Sequence, residues 1–328
     1  MPEQKSATLR WGILGASKFA RYQMAPAIQL AENAVFAGLA SSSPEKAKTF
    51  QALAPGLRLY DTYEALLDAP DIDAVYIPLP NHLHVEWTIR ALEAGKAVLT
   101  EKPIALAEEE FDQLIEARNR SGLLAAEAYM ILHHPQWHKV RELIAGGAVG
   151  PVRHVSGVFT YNNAASPGNI RNKPETGGGG LRDIGVYPFG AARYVLGGEP
   201  DRVKAEIVWE NGVDVVANVF AAFGEVTFDA LVSMRMHLTQ SMTFFGETGR
   251  LTVHAPFNPV SYGHARVSLD TPDGEQGWNF GDDMHYVNQV EAFGRSVRDG
   301  APYPVPLEFS RGTQTMLDLA FASAGESR

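Results

Sequence analysis

Short apolar runs alternate with helical patterns along the first part of the chain. The apolar runs predict strands at residues 9–14, 35–40, 57–60, 74–77, 97–99 and 123–127. Segments between them, such as residues 44–53, 85–94 and 108–120, carry apolar positions at helical spacing. Apolar runs without polar alternation are typical of strands that are buried on both faces. Their alternation with helices predicts a doubly wound parallel α/β sheet of the Rossmann type.

The pattern changes near residue 125, after which strands with alternating polar and apolar positions follow one another. These strands are predicted at residues 152–161, 202–209, 214–223, 226–235, 241–245 and 250–254, with helices at 138–145, 285–299 and 310–322. Period-two alternation predicts an α+β domain with a large open, mainly antiparallel sheet. We therefore expect two domains, residues 1–125 and residues 126–328.

The composition and net charge of the chain limit the classes of molecule that it is expected to bind. The 328 residues are 45% hydrophobic and 20% charged, with a net charge of −10 and no cysteine. The net negative charge argues against binding to nucleic acid or to an anionic membrane surface. The lack of cysteine excludes disulfides, a thiol nucleophile and thiolate metal ligands. The first residues are polar and form no apolar signal segment, and no apolar run reaches the length of a membrane span. We expect a cytoplasmic protein.

A glycine-containing turn follows the first predicted strand. Gly15, Ser17 and Ala20 fit the G-x-G-x-x-G/A pattern of dinucleotide-binding turns, with serine in place of the middle glycine. Gly15 permits the tight turn, Ala20 permits close packing of helix on strand, and the amides at the helix start would face a pyrophosphate. Turns of this composition also occur without a nucleotide, so the pattern alone leaves both interpretations open.

The end of the second strand bears on the choice of cofactor. In NAD-binding sites a carboxylate at this place binds the ribose 2′-hydroxyl, whereas this strand ends in Ser41, Ser42 and Ser43. No negative charge would repel a 2′-phosphate, and Lys18 and Lys46 lie nearby in the sequence. The pattern favours NADP, with NAD as the alternative. The serines would also serve as the start of the next helix.

A turn after the fourth strand carries Pro80, Asn81 and His84. The Asn81 amide is suited to a ribose or substrate hydroxyl. His82 and His84 have no acidic partner at metal-ligand spacing, so we expect His84 to cap or pack at the helix start rather than to bind a metal.

Glu101-Lys102-Pro103 stands where the next strand ends. Pro103 biases Lys102 away from helix, which holds the charged pair in an extended turn. Ligands of parallel sheets bind at the carboxyl ends of the strands, so we expect Lys102 at the reaction centre. A surface ion pair is the alternative.

The second half contains four glycines, residues 177–180, that let the backbone approach another group closely. Asp183 and Tyr187 follow four residues apart, so both side chains would lie on one face of a helix. Alternatively, Asp183 caps a helix over residues 187–196 and Tyr187 belongs to the core. The spacing alone does not decide between them.

These motifs together resemble the glucose–fructose oxidoreductase/inositol dehydrogenase/MocA (Gfo/Idh/MocA) family. The motifs are Gly15-x-Ser17-x-x-Ala20, Pro80-Asn81-His82-x-His84, Glu101-Lys102-Pro103, Glu127-Ala128-Tyr129-Met130 with His134-Pro135-Gln136, and the glycine-rich block that ends in Asp183 and Tyr187. Tyr187 and the segment Asn169-Ile170-Arg171 most resemble the corresponding residues of the NADP-dependent sugar and dihydrodiol dehydrogenase branch. The resemblance implies a dinucleotide-binding Rossmann domain, and a substrate-binding domain whose open sheet forms a homodimer or higher homo-oligomer.

Roles for individual residues follow from these patterns and from the resemblance. The candidate cofactor contacts are Gly15, Ser17, Lys18, Ala20, Ser41, Ser42, Lys46, Pro80, Asn81, His84 and Glu101. The resemblance implies substrate contacts from Lys102, Asp183 and Arg171, and no metal is expected. Ser42 stands where the family commonly has an arginine, which weakens the NADP assignment. Leu132 likewise replaces an arginine near the substrate.

The resemblance implies hydride transfer between a nicotinamide and a hydroxyl or carbonyl carbon of a sugar, polyol or related diol. Free tyrosine and free lysine are poor bases near neutral pH. Because a lysine cation favours the ionised phenol, we expect Tyr187 to be the general acid/base and Lys102 to lower its pKa. Asp183 would then orient Lys102 or a sugar hydroxyl.

Two other functions within the same family serve as alternatives. A non-catalytic NADP-binding regulator would be expected to lose the lysine or the acidic residue, and Lys102 and Asp183 are both present. A glycoside hydrolase that recycles bound NAD would show no net reduction of the cofactor. We expect an enzyme that acts on CH–OH groups.

Overall fold

The computed structural model describes residues 8–259, 261–281 and 283–325. Within this part, the chain forms two compact units. The first unit lies within residues 1–105, 109–133 and 284–309, and the second lies within residues 106–108, 134–283 and 310–328. The α-helices are, in chain order, α1 (Ala25–Leu30), α2 (Pro44–Gln51), α3 (Tyr63–Leu67), α4 (His84–Glu93), α5 (Glu110–Ser121), α6 (Pro135–Ala145), α7 (Val186–Leu196), α8 (His285–Asp299) and α9 (Leu307–Ser323).

The first unit contains a six-stranded parallel sheet. Its strands are β1 (Leu9–Leu14), β2 (Ala34–Ala40), β3 (Arg58–Tyr60), β4 (Ala74–Ile77), β5 (Ala97–Thr100) and β6 (Ala125–Glu127), in the order β3-β2-β1-β4-β5-β6. All neighbouring pairs run parallel. β4 and β5 are buried along their whole length, as strands covered by helices on both faces must be. The predicted Rossmann sheet is confirmed.

Local sequence sets several helix limits in this unit. The Ser43 hydroxyl accepts the Lys46 amide hydrogen at the start of α2, and Pro44 follows as the first helical residue. Thr62 caps α3 in the same way, and α5 ends at Gly122 in the left-handed conformation. These are short-range signals, so sequence patterns located these helices to within a few residues.

α8 packs with the first unit. Phe293 is fully buried, and its ring centroid lies 4.9 Å from that of Trp11 on β1. At the other end of the helix, Arg298 donates to Asp73 Oδ2 at 2.6 Å. The compact units therefore differ from the two predicted segments, which assigned residues 285–299 to the second domain. The contacts that place α8 join residues far apart in the sequence, so periodicity gave no sign of them.

The second unit contains an eight-stranded sheet. Its strands are β7 (Val152–Asn162), β8 (Arg202–Glu210), β9 (Val213–Phe223), β10 (Val226–Ser233), β11 (Arg235–Gly246), β12 (Arg250–Val253), β13 (Arg266–Thr271) and β14 (Gly274–Asn279), in the order β14-β13-β12-β11-β7-β10-β9-β8. β7 and β10 run parallel, and the other neighbouring pairs are antiparallel. The predicted large, mainly antiparallel sheet is confirmed.

Sequence patterns missed the edge of this sheet. β14 is exposed along nearly its whole length, so it lacks the buried apolar positions that reveal a strand. The predicted strand at 226–235 is also shorter, because β10 ends at Ser233 and β11 begins at Arg235. Among the helices that the structure describes, none combines the length and the apolar character of a membrane span.

Asp73 should contribute measurably to stability because it joins α8 to the sheet. Burial alone would raise the pKa of Asp73, but hydrogen bonds from Arg10 and the charge of Arg298 outweigh this effect and lower it. We expect Asp73→Asn to reduce the free energy of unfolding by about 1–3 kcal/mol near neutral pH. A group with a lowered folded pKa stabilises above its unfolded pKa, so the difference should shrink as the pH falls through the carboxyl range.

Urea denaturation at pH 7 and at acid pH measures this difference. Asp71→Asn is the matched control, since Asp71 is half exposed and lies 3.8 Å from its partner Arg58. Equal loss of stability in both variants would contradict the role of Asp73.

Candidate active site

The turns that carry the predicted cofactor residues lie at one edge of the parallel sheet. β1 pairs with β2 up to Leu14 and Ala40, and β4 pairs with β5 up to Ile77 and Thr100. Because these strands are parallel, the turns that follow them emerge on the same side. This carboxyl edge is where ligands of open α/β sheets bind.

The turn after β1 has the backbone geometry of a dinucleotide-binding turn. Gly15 has φ +105°, and a Cβ there would lie 2.9 Å from Leu79 Cδ2. Ser17 accepts the Ala20 amide hydrogen on its Oγ at 3.0 Å, so the serine caps the helical segment that begins there. Ala20 is fully buried and Lys18 is exposed. The turn fits a pyrophosphate, because it combines a positive-φ glycine with a helix start and an exposed cation.

The serines after β2 divide into two roles. Ser41 is buried, and its Oγ accepts the Ser43 amide hydrogen at 3.1 Å. Ser42 and Lys46 are exposed. The three serines supply no negative charge at this strand end. The place therefore suits a phosphorylated ribose, with Ser42 and Lys46 available to a ligand and Ser41 holding the turn.

The turn after β4 gives His84 a different place from the one that the resemblance implied. His84 is fully buried, with its ring nitrogens 2.7 Å from the Pro103 carbonyl oxygen and 2.8 Å from that of Leu79. Burial lowers the pKa of His84 to about 4, so the neutral ring donates to one of these oxygens. His84 therefore joins two turns at the sheet edge and presents no polar atom to a ligand. Pro80 and Asn81 are half-buried.

Glu101 is the acidic member of the Glu-Lys-Pro turn. Tyr76 donates its hydroxyl hydrogen to Glu101 Oε1 at 2.5 Å, and burial raises the pKa of Glu101. The charge of Glu101 also contributes to the raised pKa of Tyr286 on α8, after burial. Tyr286 in turn makes an edge-to-face contact with Phe19, 5.7 Å between centroids. Tyr76 and Tyr286 thus belong to the same edge, and sequence analysis missed both.

Asp183 is the centre of a polar cluster in the second unit. Arg171 Nε lies 2.8 Å from Asp183 Oδ2, and Tyr161 donates its hydroxyl hydrogen to the same oxygen at 2.7 Å. The carboxylate is nearly buried, while the Arg171 side chain is 40% exposed. The structure thus brings together two of the predicted substrate residues. It adds Tyr161, the last residue of a predicted strand, which no motif had marked.

Tyr187 follows Asp183 on a continuous helical segment. A π-helical turn over Leu181–Gly185 leads directly into α7, whose first turn contains Pro188. The Tyr187 ring packs against Phe159 and Phe257 at centroid distances of 5.5 and 5.7 Å. It is 7% exposed, so its ring is fixed while part of it reaches the surface.

The predicted site residues divide between the two units. Lys102 and the cofactor candidates belong to the first unit, and Asp183, Tyr187 and Arg171 belong to the second. The pairing of Lys102 with Tyr187 stays a prediction. The described residues contain no group of three or more His, Cys, Asp or Glu side chains placed to hold a metal ion.

Comparison with known proteins covers both halves of the chain. A family model described as "Oxidoreductase family, NAD-binding Rossmann fold" matches residues 9–129. A second model, the GFO/IDH/MocA C-terminal domain, matches residues 137–252. The motif-based resemblance is confirmed by these two matches.

Individual relatives are similar along nearly the whole chain. A dTDP-3,4-didehydro-2,6-dideoxy-alpha-D-glucose 3-reductase from Actinomadura kijaniata is 33% identical over 295 residues, which cover 89% of this chain and 88% of that protein. D-xylose 1-dehydrogenase (NADP(+)) 2 from Haloferax volcanii is 31% identical over 327 residues, covering 96% and 97%. The crystal structure of KijD10, a 3-ketoreductase from Actinomadura kijaniata in complex with NADP and TDP-benzene, has a TM-score of 0.90 at 31% identity and covers 96% and 98%.

Fold, cofactor edge and sequence similarity agree with one another. The Rossmann sheet and its first turn lie in the region matched by the NAD-binding model, and the Asp183 cluster lies in the region matched by the C-terminal model. The chain belongs to the Gfo/Idh/MocA family of NAD(P)-dependent oxidoreductases.

Proposed function

We propose that the protein transfers hydride between NADP(H) and a hydroxyl or carbonyl carbon of a sugar, with Tyr187, Lys102 and Asp183 as its catalytic residues. The observation that supports this proposal best is the Asp183 cluster. A nearly buried carboxylate, a half-exposed guanidinium and a phenol meet beside the start of α7, which carries Tyr187. Such a set of donors and acceptors suits the hydroxyl groups of a sugar.

In the proposed mechanism the chain's own residues move the proton and hold the substrate. The cofactor, when bound, supplies or accepts the hydride. Tyr187 exchanges a proton with the reacting oxygen, and Lys102 favours the phenolate and binds that oxygen. Asp183, held by Arg171 and Tyr161, accepts a hydrogen bond from a neighbouring sugar hydroxyl. Glu101, which is half-buried and hydrogen-bonded to Tyr76, would bind the nicotinamide ribose.

The cofactor preference rests on the turn after β2. Ser42 and Lys46 are exposed there, where a carboxylate would repel a 2′-phosphate. KijD10 was crystallised with NADP, and the similar xylose dehydrogenase is named for NADP(+). Both findings support NADP as the cofactor, with NAD as the weaker alternative.

The substrate class is tested by a panel read at the nicotinamide absorbance. The panel contains dTDP-linked keto sugars with NADPH, since one relative is named as a reductase of such a sugar, and free aldoses with NADP⁺, since another is named as a xylose dehydrogenase. Polyols with NADP⁺ complete the panel. We expect sustained turnover with one of the sugar classes. No net change in nicotinamide absorbance with either substrate class, together with cleavage of a glycosidic bond, would support the NAD-recycling hydrolase instead. Binding of NADPH without any turnover would support the regulator.

Tyr187→Phe tests the acid/base role. Removing the phenol hydroxyl should lower kcat by ~10²–10⁴-fold, since positioned proton transfer contributes about that much. The dissociation constant of NADPH, measured by fluorescence, should stay unchanged. Tyr194→Phe is the matched control, because Tyr194 lies on the same helix and is half-buried, with Arg141 over its ring. Full activity of Tyr187→Phe would refute the assignment.

Ser42→Asp tests the cofactor site. A carboxylate at this exposed position should repel the 2′-phosphate, so the variant should bind NADP(H) at least ~10-fold more weakly and NAD(H) no worse, a cost of about 1.4 kcal/mol. Ser42→Asn keeps the size of the side chain without the charge and should behave like the wild type. Thermal stabilisation by each nucleotide measures the preference. Unchanged NADP binding in Ser42→Asp would place the 2′-phosphate elsewhere.

We also propose that the protein forms a homodimer, or a higher homo-oligomer, through the eight-stranded sheet. Val208, Phe220, Leu238 and Phe245 on its strands are exposed by 55%, 54%, 44% and 37%. A second copy of this sheet would cover these side chains, as the partner does at an association surface. A location in the cytoplasm stays a prediction from composition.

A further inference from the structure

Asp214 is a buried carboxylate that the proposed mechanism does not use. It stands near the start of β9 and is 2% exposed. Carboxylates are rarely buried to this degree unless other groups satisfy them. The hydrogen-bond partners of Asp214 therefore indicate its structural role.

Those partners are backbone amides at the start of the helical segment that carries Asp183 and Tyr187. Leu181 donates its amide hydrogen to Asp214 Oδ2 at 2.6 Å. The Gly180 amide also hydrogen-bonds to Asp214, and the charge of Arg182 adds a further attraction. A carboxylate at the N-terminus of a helix binds orphan amides and complements the helix dipole.

Two of the four glycines, Gly178 and Gly179, leave no room for a side chain beside this contact. A Cβ at Gly179 would lie 2.0 Å from Asp214 Oδ1, and the residue has φ +116°, where other side chains are strained. A Cβ at Gly178 would lie 2.6 Å from the Arg171 carbonyl oxygen. The run therefore lets the backbone pass between Asp214 and the loop that carries Arg171.

The anchored amides are close to the proposed catalytic side chains along the chain. Asp183 lies two residues after Leu181, and its amide donates to the Gly179 carbonyl oxygen at 3.1 Å. Tyr187 follows one helical turn later on the same continuous segment. A shift of the segment at Asp214 would move both side chains together.

We propose that Asp214 is a positioning residue, whose carboxylate fixes the start of this helical segment and thereby holds Asp183 and Tyr187 in register with the substrate. The inference rests on the proposed roles of Asp183 and Tyr187. Displacements of about 1 Å in a catalytic group can cost ~10²-fold in rate, so an anchor of this kind affects turnover.

Burial of Asp214 also affects how its charge contributes to stability. Burial raises the pKa of this carboxyl to about 7, against the hydrogen bonds from the amides. A carboxyl whose folded pKa lies above its unfolded value of about 3.9 lowers stability as the pH rises through that interval. Asp214→Asn removes this charge but also removes an acceptor of the Leu181 amide, and the two effects on stability oppose each other. The turnover number and its coupling to Tyr187, rather than the melting temperature, therefore report positioning.

The experiment compares Asp214→Asn, Tyr187→Phe and their double variant with the wild type. We expect Asp214→Asn to lower kcat by ~10- to 100-fold, with the NADPH dissociation constant unchanged. The double variant should be no slower than Tyr187→Phe, since both changes remove the same proton-transfer geometry. Asp201→Asn is the matched control: Asp201 accepts the Gly224 amide hydrogen at 2.6 Å but is exposed.

The outcomes separate this inference from the proposed function. Full kcat in Asp214→Asn, or a rate in the double variant equal to the product of the two single losses, would overturn the inference. If Tyr187→Phe were fully active, the proposed acid/base role would fail on its own. Hydrogen exchange of the amides at 179–186 would then decide: faster exchange in Asp214→Asn supports the anchor, and unchanged exchange overturns it.

Discussion

A buried carboxylate must find hydrogen-bond donors, and this requirement shapes both units of the protein. In the first unit Glu101 accepts from Tyr76, and Glu127 accepts the Ile104 amide hydrogen at 3.0 Å, directly after the Glu-Lys-Pro turn. In the second unit Asp183 is held by Arg171 and Tyr161. Unpaired, each of these groups would cost several kcal/mol. The turns and helix starts around the candidate site are therefore positioned by the donors that these carboxylates require.

This constraint also gives a physical basis for the family's motifs. His84 is part of the Pro-Asn-His motif, yet its buried ring lies between two backbone carbonyls, donates to one of them and joins the turns after β4 and β5. Ser17 replaces a glycine of the dinucleotide pattern and caps the following helix. Motif residues of this kind hold the backbone of the turn, while Lys18 and Ser42, which are proposed to meet the cofactor, are exposed.

The two units supply different parts of an oxidoreductase. The first offers a sheet edge suited to a dinucleotide, with a positive-φ turn at Gly15 and no carboxylate among the serines after β2. The second offers a helix start held by hydrogen bonds to Asp214, two aromatic rings packed against Tyr187 and a polar cluster suited to hydroxyl groups. Catalysis benefits from such a division, because each group can be held by its own core while substrate specificity changes in one unit.

Short-range patterns determined much of this protein. Periodicity identified the parallel sheet and most of its helices, and turn chemistry marked Gly15, Lys102, Asp183 and Tyr187, since these signals depend on neighbours within a few residues. The strands β13 and β14 were both missed. β14 is exposed along nearly its whole length and carries no buried periodicity, whereas β13 is short and has only Val267 and Leu269 buried at alternating positions.

Tertiary structure decided the rest. It placed α8 against β1, gave His84 a buried bridging role, and brought Tyr161 to Asp183 across 22 residues and Leu181 to Asp214 across 33. The physical reason is that an individual carboxylate or imidazole has the same local sequence signal whether it meets solvent, a ligand or a buried amide. Its partner is chosen by the packing of elements that are distant along the chain.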